Sequence, residues 1–288
     1  MNNGSFFIPR EQIYPFLNPG NMNNEEGLYL CWETDPAVAR RILPPQLELS
    51  TPEHPVVMAY IVNIREPTFA PWYMEGALML PCRYGATEGV TILNLQLSGP
   101  GAPMAMFGGR EISGLPKKLC ERIVVERTDD YARAFIEAKG RRIFDVEVEL
   151  GAYNDPRAAQ LYSDNRPDHR VRGSCLLFQY EVGAAPEGHM TFPKMNLVNY
   201  ESTIDYKTWE SGSIKSIKME SSLDDPWAEL SVVKPLGAAY SINSTCDVTV
   251  SPLAQFDSDE ADNLISYLFS GRWDRSMICA GHQRYGQF

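Results

Sequence analysis

Short runs of alternating or wholly apolar residues follow one another along this sequence, and turn residues rather than amphipathic helices separate them. No other feature limits the fold as much. Residues 56–64 are nearly all apolar, Tyr73–Tyr84 resumes the pattern after Pro67 and Pro71, and 89–97 alternates through Val90, Ile92, Leu93, Leu95 and Leu97. Residues 122–127, Tyr131–Ala138 and 143–150 continue it, with Ala138-Lys139-Gly140-Arg141-Arg142 as a hairpin turn. Period-two patterning bounded by Gly, Pro and Asn reads as strand. Segments 176–182, 194–202, 213–219, 227–233 and 238–251 extend the series. A doubly wound α/β sheet would alternate strands with amphipathic helices, and that alternation is missing. The expectation is a mostly-β (α+β) domain, closed or sandwiched, with few short helices.

The ends differ from this middle. Residues 1–26 are rich in Asn, Pro and Gly and are expected to form an N-terminal arm, with the first strand at 27–33. Thr34 or Asp35 can cap a short helix over 37–42, and short elements are expected at 47–50 (strand) and 156–162 (helix). The main domain is set at 27–252. From 253 to 288 the pattern changes to a helical extension. Asp257 can cap a helix in which Ala261, Leu264, Ile265 and Leu268 fall on one face.

The net charge of −11 and a pI of about 4.9 argue against nucleic acid as a partner, which calls for a basic footprint. The six cysteines (Cys31, Cys82, Cys120, Cys175, Cys246, Cys279) are scattered without a CxxC, so buried free thiols are expected. The four histidines are far apart, and no metal site is expected. No apolar run approaches the ~18 residues of a membrane span, and the first residues lack a basic, apolar leader pattern. The expectation is a cytoplasmic protein with no membrane partner.

One stretch carries chemistry: Gly109-Arg110-Glu111-Ile112-Ser113-Gly114-Leu115-Pro116-Lys117-Lys118-Leu119. Two adjacent lysines follow a proline that biases Leu115 towards an extended backbone. The flanks, 104–107 and 123–125, read as buried strands. An amine in an apolar pocket, or beside a second positive charge, gives up its proton more readily. A neutral amine attacks ketones and forms a Schiff base. Most Lys-Lys pairs are solvated turn residues, and it is the apolar flanks that favour the buried alternative.

This eleven-residue segment resembles the active-site segment of the acetoacetate decarboxylase superfamily, in which acetoacetate decarboxylase is an established case of an activated lysine. The resemblance runs from about residue 20 to about residue 252, most strongly around the lysines. It implies a cone-shaped β-barrel with flanking antiparallel strands and a lysine in an interior cavity. It makes Lys117 the imine-forming residue and Lys118 its neighbour. It makes Glu75, set among Trp72, Tyr73, Met74, Ala77 and Leu78, the acid–base group. The family's second pocket glutamate falls on Tyr60, and its carboxylate-binding arginine falls near Glu25. Either the N-terminal register of that comparison is shifted, or Arg65 or Arg110 takes over that arginine's role, or the substrate is different. Tyr73 and Tyr240 are further candidates for lining the substrate site, with Tyr60 and Arg110.

Three functions follow. The first is cofactor-independent decarboxylation of an acetoacetate-like 3-oxo acid through an imine and enamine on Lys117, by a homo-oligomeric lyase. The second is an imine-based aldolase-dehydratase joining pyruvate to an aldehyde, as in relatives that lack the decarboxylase polar set. The third is a non-catalytic barrel binding a small carbonyl compound. No cofactor is expected, because the protonated imine is itself the electron sink, and the partner in each case is a small oxo acid or carbonyl compound.

Overall fold

In the computed structural model, residues 4–17 and 20–276 are described. Twelve strands carry the fold: β1 (Met22–Glu33), β2 (Glu48–Leu49), β3 (Val56–Pro67), β4 (Tyr73–Tyr84), β5 (Thr87–Ser98), β6 (Lys117–Leu119), β7 (Arg122–Thr128), β8 (Tyr131–Ala138), β9 (Arg141–Leu150), β10 (His169–Ala184), β11 (Met190–Met219) and β12 (Lys234–Phe256). Short helices punctuate them: α1 (Arg10–Leu17), α2 (Pro36–Ile42), α3 (Ala102–Met106), α4 (Pro156–Leu161) and α5 (Ser258–Leu268). A single π-helical segment, Phe107–Ile112, continues α3. No described helix is long and apolar enough to cross a membrane.

Neighbour pairing runs β10-β5-β4-β3-β1-β12-β11-β9-β8-β7, and β10 also pairs with β11. The strands from β5 to β11 are therefore closed into a ring through β10, as the expected barrel requires. The closure at β5 is narrow, a parallel bridge of Cys175 to Val90. β7, β8 and β9 form an antiparallel flap on the C-terminal part of β11, where Gly212–Met219 pairs with β9. Ring closure removes the exposed edges that an open sheet of this size would present.

Most strands lie where period-two patterning places them. The β8–β9 turn has Lys139 at φ +54° and Gly140 at φ +71°, which matches the primed turn that the twist of a hairpin favours. Asp35 accepts hydrogen bonds from the Ala37 and Val38 amides at the start of α2, and Asp257 accepts from the Glu260 amide at the start of α5. Ala261, Leu264 and Leu268 of α5 are buried, the face its spacing predicts.

Four expectations need correction. The arm does not extend to residue 26, because β1 begins at Met22; its polar residues alternate along a strand paired on both sides. Gly27 does not start that strand but lies within it, where a Cβ would come 2.1 Å from the Ile61 carbonyl. Residues 104–107 are helical, with Met104 and Phe107 exposed, because a short apolar run has no periodicity to separate helix from strand. Residues 227–233 begin with a 3-10 turn, Trp227–Glu229, rather than a strand. The segments 194–202 and 213–219 are one continuous strand, β11, whose register shifts near Val198 and Tyr206 let it bend from one neighbour to the next. The N-terminal residues 1–3 and the last twelve residues of the extension lie outside the described residues.

Alternate residues of the ring strands feed two large cores, and a smaller cluster forms around Cys31, Val56 and Leu236. One contains Leu28, Leu30, Trp32, Leu80, Phe144 and Trp227, and the other contains Val62, Ile64, Tyr73, Ala77, Leu95 and Leu97. Burying each large apolar side chain contributes about 1.5–3 kcal/mol. The functional groups lie on the side of the second core.

Candidate active site

Lys117 owes its direction to three neighbours in sequence. Gly114 has φ +78° and packs against strand β10 so closely that a Cβ would fall 2.5 Å from the Phe178 carbonyl. Leu115 and Pro116 then lead into β6, which pairs in parallel with β5, Leu95 opposite Lys117 and Gln96 opposite Lys118. Successive strand residues point to opposite faces, so the two lysines are held apart. Both are nonetheless buried, Lys117 at 4% and Lys118 at 5% exposure.

The Lys117 side chain joins a polar cluster within the second core. Its Nζ lies 3.1 Å from Glu75 Oε2, on β4. Tyr60, on β3, donates its hydroxyl to the other oxygen of Glu75 at 2.6 Å. The Tyr73 ring lies 5.7 Å from the Lys117 nitrogen. Next along the sheet, Tyr29 donates to Glu25 at 2.6 Å, both on β1. The register carries this arrangement: Tyr29 pairs with Tyr60, Tyr60 with Ala77, and Ala77 with Leu95, beside Lys117. Burial pushes the Glu25 carboxyl from 4.5 up to about 7; the Tyr29 hydrogen bond opposes the rise and the negative charge of Glu75 adds to it. The Tyr60 and Tyr73 hydroxyls are pushed well above the usual phenol range by burial, so both remain proton donors. Tyr73 Oη is buried without a hydrogen-bond partner, and Asn243 stands opposite Glu25 on β12, where its amide opposes the rise of the Glu25 carboxyl. A buried polar atom left unpaired is costly, so Tyr73 Oη is a ready contact for a polar ligand atom.

The π-helical segment covers the lysine. A Cβ on Gly109 would lie 2.6 Å from Lys117 Cδ and 3.1 Å from its Nζ, so only glycine allows this approach. The segment thus closes down onto the end of the Lys117 side chain, beside Glu75, Tyr60 and Tyr73.

Lys117, Glu75, Tyr60 and Tyr73 come together; Lys118, Arg110 and Tyr240 do not join them. Lys118 lies behind β6, bonded to the Asp224 carbonyl at 2.8 Å and paired with Asp225 at 2.8 Å and Asp274 at 2.9 Å. The strand alternation sends it there, and two carboxylates offset its charge. Arg110 pairs with Glu111 at 2.6 Å, donates to the Arg272 carbonyl at 3.1 Å, and lines a separate cleft of about 670 Å³ with Lys118 and Trp273. Tyr240 pairs in register with Leu28, so it belongs to the opposite face, where it donates to Glu26 beneath the Arg127 guanidinium. Arg65 is also engaged by Glu26. Neither proposed substitute for the carboxylate-binding arginine pairs with Glu25 or Glu75.

Glu25, Tyr29 and Asn243 were not among the expected site residues. Glu25, Gly27, Tyr29 and Cys31 are alternate positions of one strand, so reading β1 from Met22 would have put Glu25 on the same face as Tyr29. On β5, Asn94, Gln96 and Ser98 alternate with Leu93, Leu95 and Leu97, a buried polar stripe that predicts the hydrogen-bonded network around Lys118.

A profile of the family described as acetoacetate decarboxylase (ADC) matches residues 7–253. The chain is 32% identical over 276 residues to the CLA biosynthesis isomerase of Lactiplantibacillus plantarum, covering 95% of this chain and 96% of that protein. It is 30% identical over 113 residues to an acetoacetate decarboxylase of Paraburkholderia phytofirmans, a match spanning 42% of that enzyme. Among solved structures, it is similar to acetoacetate decarboxylase from Legionella pneumophila, with a TM-score of 0.68, 21% identity, and coverage of 83% of this chain and 88% of the other. The enduracididine biosynthesis enzyme MppR, complexed with the condensation product of pyruvate and imidazole 4-carboxaldehyde, is similar with a TM-score of 0.59, 15% identity, and coverage of 82% and 90%. The two structures share its fold, and the profile covers most of its length: the chain belongs to the acetoacetate decarboxylase family.

Proposed function

We propose that this protein is an enzyme that forms an imine between Lys117 and a ketone and then moves a proton on the neighbouring carbons, isomerising an unsaturated carbonyl compound. The supporting observation is the composition of the cluster. One buried lysine meets the buried carboxylate of Glu75, with a second buried carboxyl, Glu25, beyond it, while the two candidate arginines lie elsewhere, Arg65 held by Glu26 and Arg110 by Glu111. Decarboxylation and pyruvate aldol chemistry both set a substrate carboxylate beside the imine, where Glu75, and Glu25 when ionised, would repel it. Isomerisation needs no such carboxylate. A full-length relative named as an isomerase agrees with this reading, whereas the sequence matches to named decarboxylases span only 42% to 55% of those enzymes.

The steps balance without a co-reactant. Glu75, at 3.1 Å, takes the ammonium proton, and the free amine of Lys117 adds to the carbonyl carbon. Glu75 returns that proton to the carbinolamine hydroxyl, which leaves as water to give a protonated imine and a free carboxylate again. Its positive charge draws electrons from the adjacent C–H bond, and the Glu75 carboxylate removes that proton to leave a dienamine. A proton returns at the far end of the conjugated system, and water releases the isomerised ketone and the amine. Glu25, about half protonated near pH 7, is a second proton source, and Tyr60 holds the Glu75 carboxylate in place.

Decarboxylation is the second reading. It is supported by the Gly109–Leu119 segment and by a specific property of Glu25, which in its protonated form can donate a hydrogen bond to a substrate carboxylate. Incubation in D2O separates the two. Allyl methyl ketone should be converted to its conjugated isomer with deuterium incorporation, while acetoacetate should release no CO2 above the uncatalysed rate. Release of CO2 from acetoacetate with no isomerisation of the ketone would replace the first reading with the second.

A further inference from the structure

The family match ends at residue 253, and the chain continues through α5 into a half-buried turn, residues 269–276, whose buried Arg272 reaches the segment before β6. We infer that this C-terminal segment positions the reactive lysine, a claim that rests on Lys117 being the amine of the proposed reaction.

β6 needs such support. It is three residues long and pairs only with β5, leaving its other edge without a strand partner among the described residues. The C-terminal turn contacts Gly114 and Pro116, just before the strand, and Lys118 within it. Arg272, 3% exposed, donates to the Gly114 carbonyl at 2.5 Å, to the Phe178 carbonyl at 3.3 Å and to the Leu268 carbonyl at 3.1 Å. One planar guanidinium thus joins the turn before β6, strand β10 and the end of α5. Gly271 lies so near Pro116 and the Leu93 carbonyl that a Cβ would come within 2.9 Å and 2.2 Å of them. Asp274 pairs with Lys118 at 2.9 Å through one oxygen and with Lys139 at 2.6 Å through the other.

Gly114, Pro116 and Lys118 are therefore each gripped by this turn, and Lys117, between them, is left to face Glu75. The second lysine of the pair works as an anchor: its ammonium holds the C-terminal turn and Asp225 to the back of the strand. Arg272 and Asp274 touch no reacting atom and act as positioning residues. A lysine nitrogen displaced by a fraction of an ångström from Glu75 and the ligand carbonyl would react far more slowly while the barrel stayed folded.

The test uses the full chain and three variants, Arg272→Ala, Arg272→Lys and Asp274→Asn. Each is incubated with acetone and borohydride, and labelling is followed lysine by lysine by peptide mass, with amide hydrogen exchange measured over residues 114–120. Arg272→Ala and Asp274→Asn should slow labelling of Lys117 by about ten- to a hundredfold and speed exchange in 114–120. Labelling of exposed lysines and exchange in β1 and β3 should not change. Arg272→Lys should recover part of the loss, because an ammonium can still reach the Gly114 carbonyl. Labelling of Lys117 at the wild-type rate in Arg272→Ala and Asp274→Asn would overturn the proposal. If wild-type Lys117 takes no label, the reading of Lys117 as a reactive amine fails. The positioning claim is then decided by exchange alone, and unchanged exchange over 114–120 would overturn it.

Discussion

Glu25 shows how burial at a single residue turns a structural position into a chemical one. Its carboxyl is raised from 4.5 to about 7, chiefly by burial, so between those values the folded protein keeps a proton that the unfolded chain has released. The unfolded state then binds fewer protons, and stability falls as pH rises through that window, the loss being complete above about 7. At ~1.36 kcal/mol per tenfold change in proton affinity, the loss is about 3 kcal/mol. Glu25→Gln should flatten the pH dependence of urea unfolding between about pH 4.5 and 7 and stabilise the protein by up to about 3 kcal/mol above it. An unchanged curve would mean that Glu25 is hydrated. Tyr60 contributes differently, through its hydrogen bond to Glu75. Bonds to charged groups contribute about 1.5–3 kcal/mol, so Tyr60→Phe should lower kcat by about tenfold or more with a smaller change in KM. A change confined to KM would place Tyr60 in binding rather than in holding Glu75.

At the scale of elements, the segment from α3 to β6 decides what Lys117 can reach. Gly109 rests on the end of the lysine side chain. In Gly109→Ala the obstruction is a flexible lysine tip, so the fold should survive with its melting temperature nearly unchanged, while turnover drops because the nitrogen is pushed off Glu75. Equal losses of melting temperature and activity would show that the contact is structural only. This segment was also the hardest to read from sequence. The apolar run 104–107 carried no period, and nothing local announces a π-helical turn. Period-two strands such as β4 and β9 were legible because one residue in two must face a core. Long-range burial was not: the grip of Arg272 on Gly114, 158 residues away in the chain, leaves no local trace. For the same reason the sequence does not show that Lys117 and Glu75 lie 3.1 Å apart while Tyr240 and Arg110 lie away from them. The motif identifies residues, and only sheet register decides which face each one shares.

For the molecule as a whole, the pairing of neighbouring strands brings Glu25, Tyr60, Glu75 and Lys117 together from β1, β3, β4 and, beside β5, β6. No two of them are close in sequence, and the dry interior gives their charges weight that they would lack in water. On the proposed function, the barrel provides the surroundings and Lys117 the amine, while the two carboxyls suit substrates whose reacting end is uncharged. The account depends most on Lys117 being the amine that engages the carbonyl. The most direct measurement is borohydride reduction of the protein turning over allyl methyl ketone, followed by peptide mass mapping. The account predicts one reduced adduct, on Lys117, that disappears together with turnover in Lys117→Ala. Turnover that persists in Lys117→Ala, or an adduct on Lys118 instead, would contradict it.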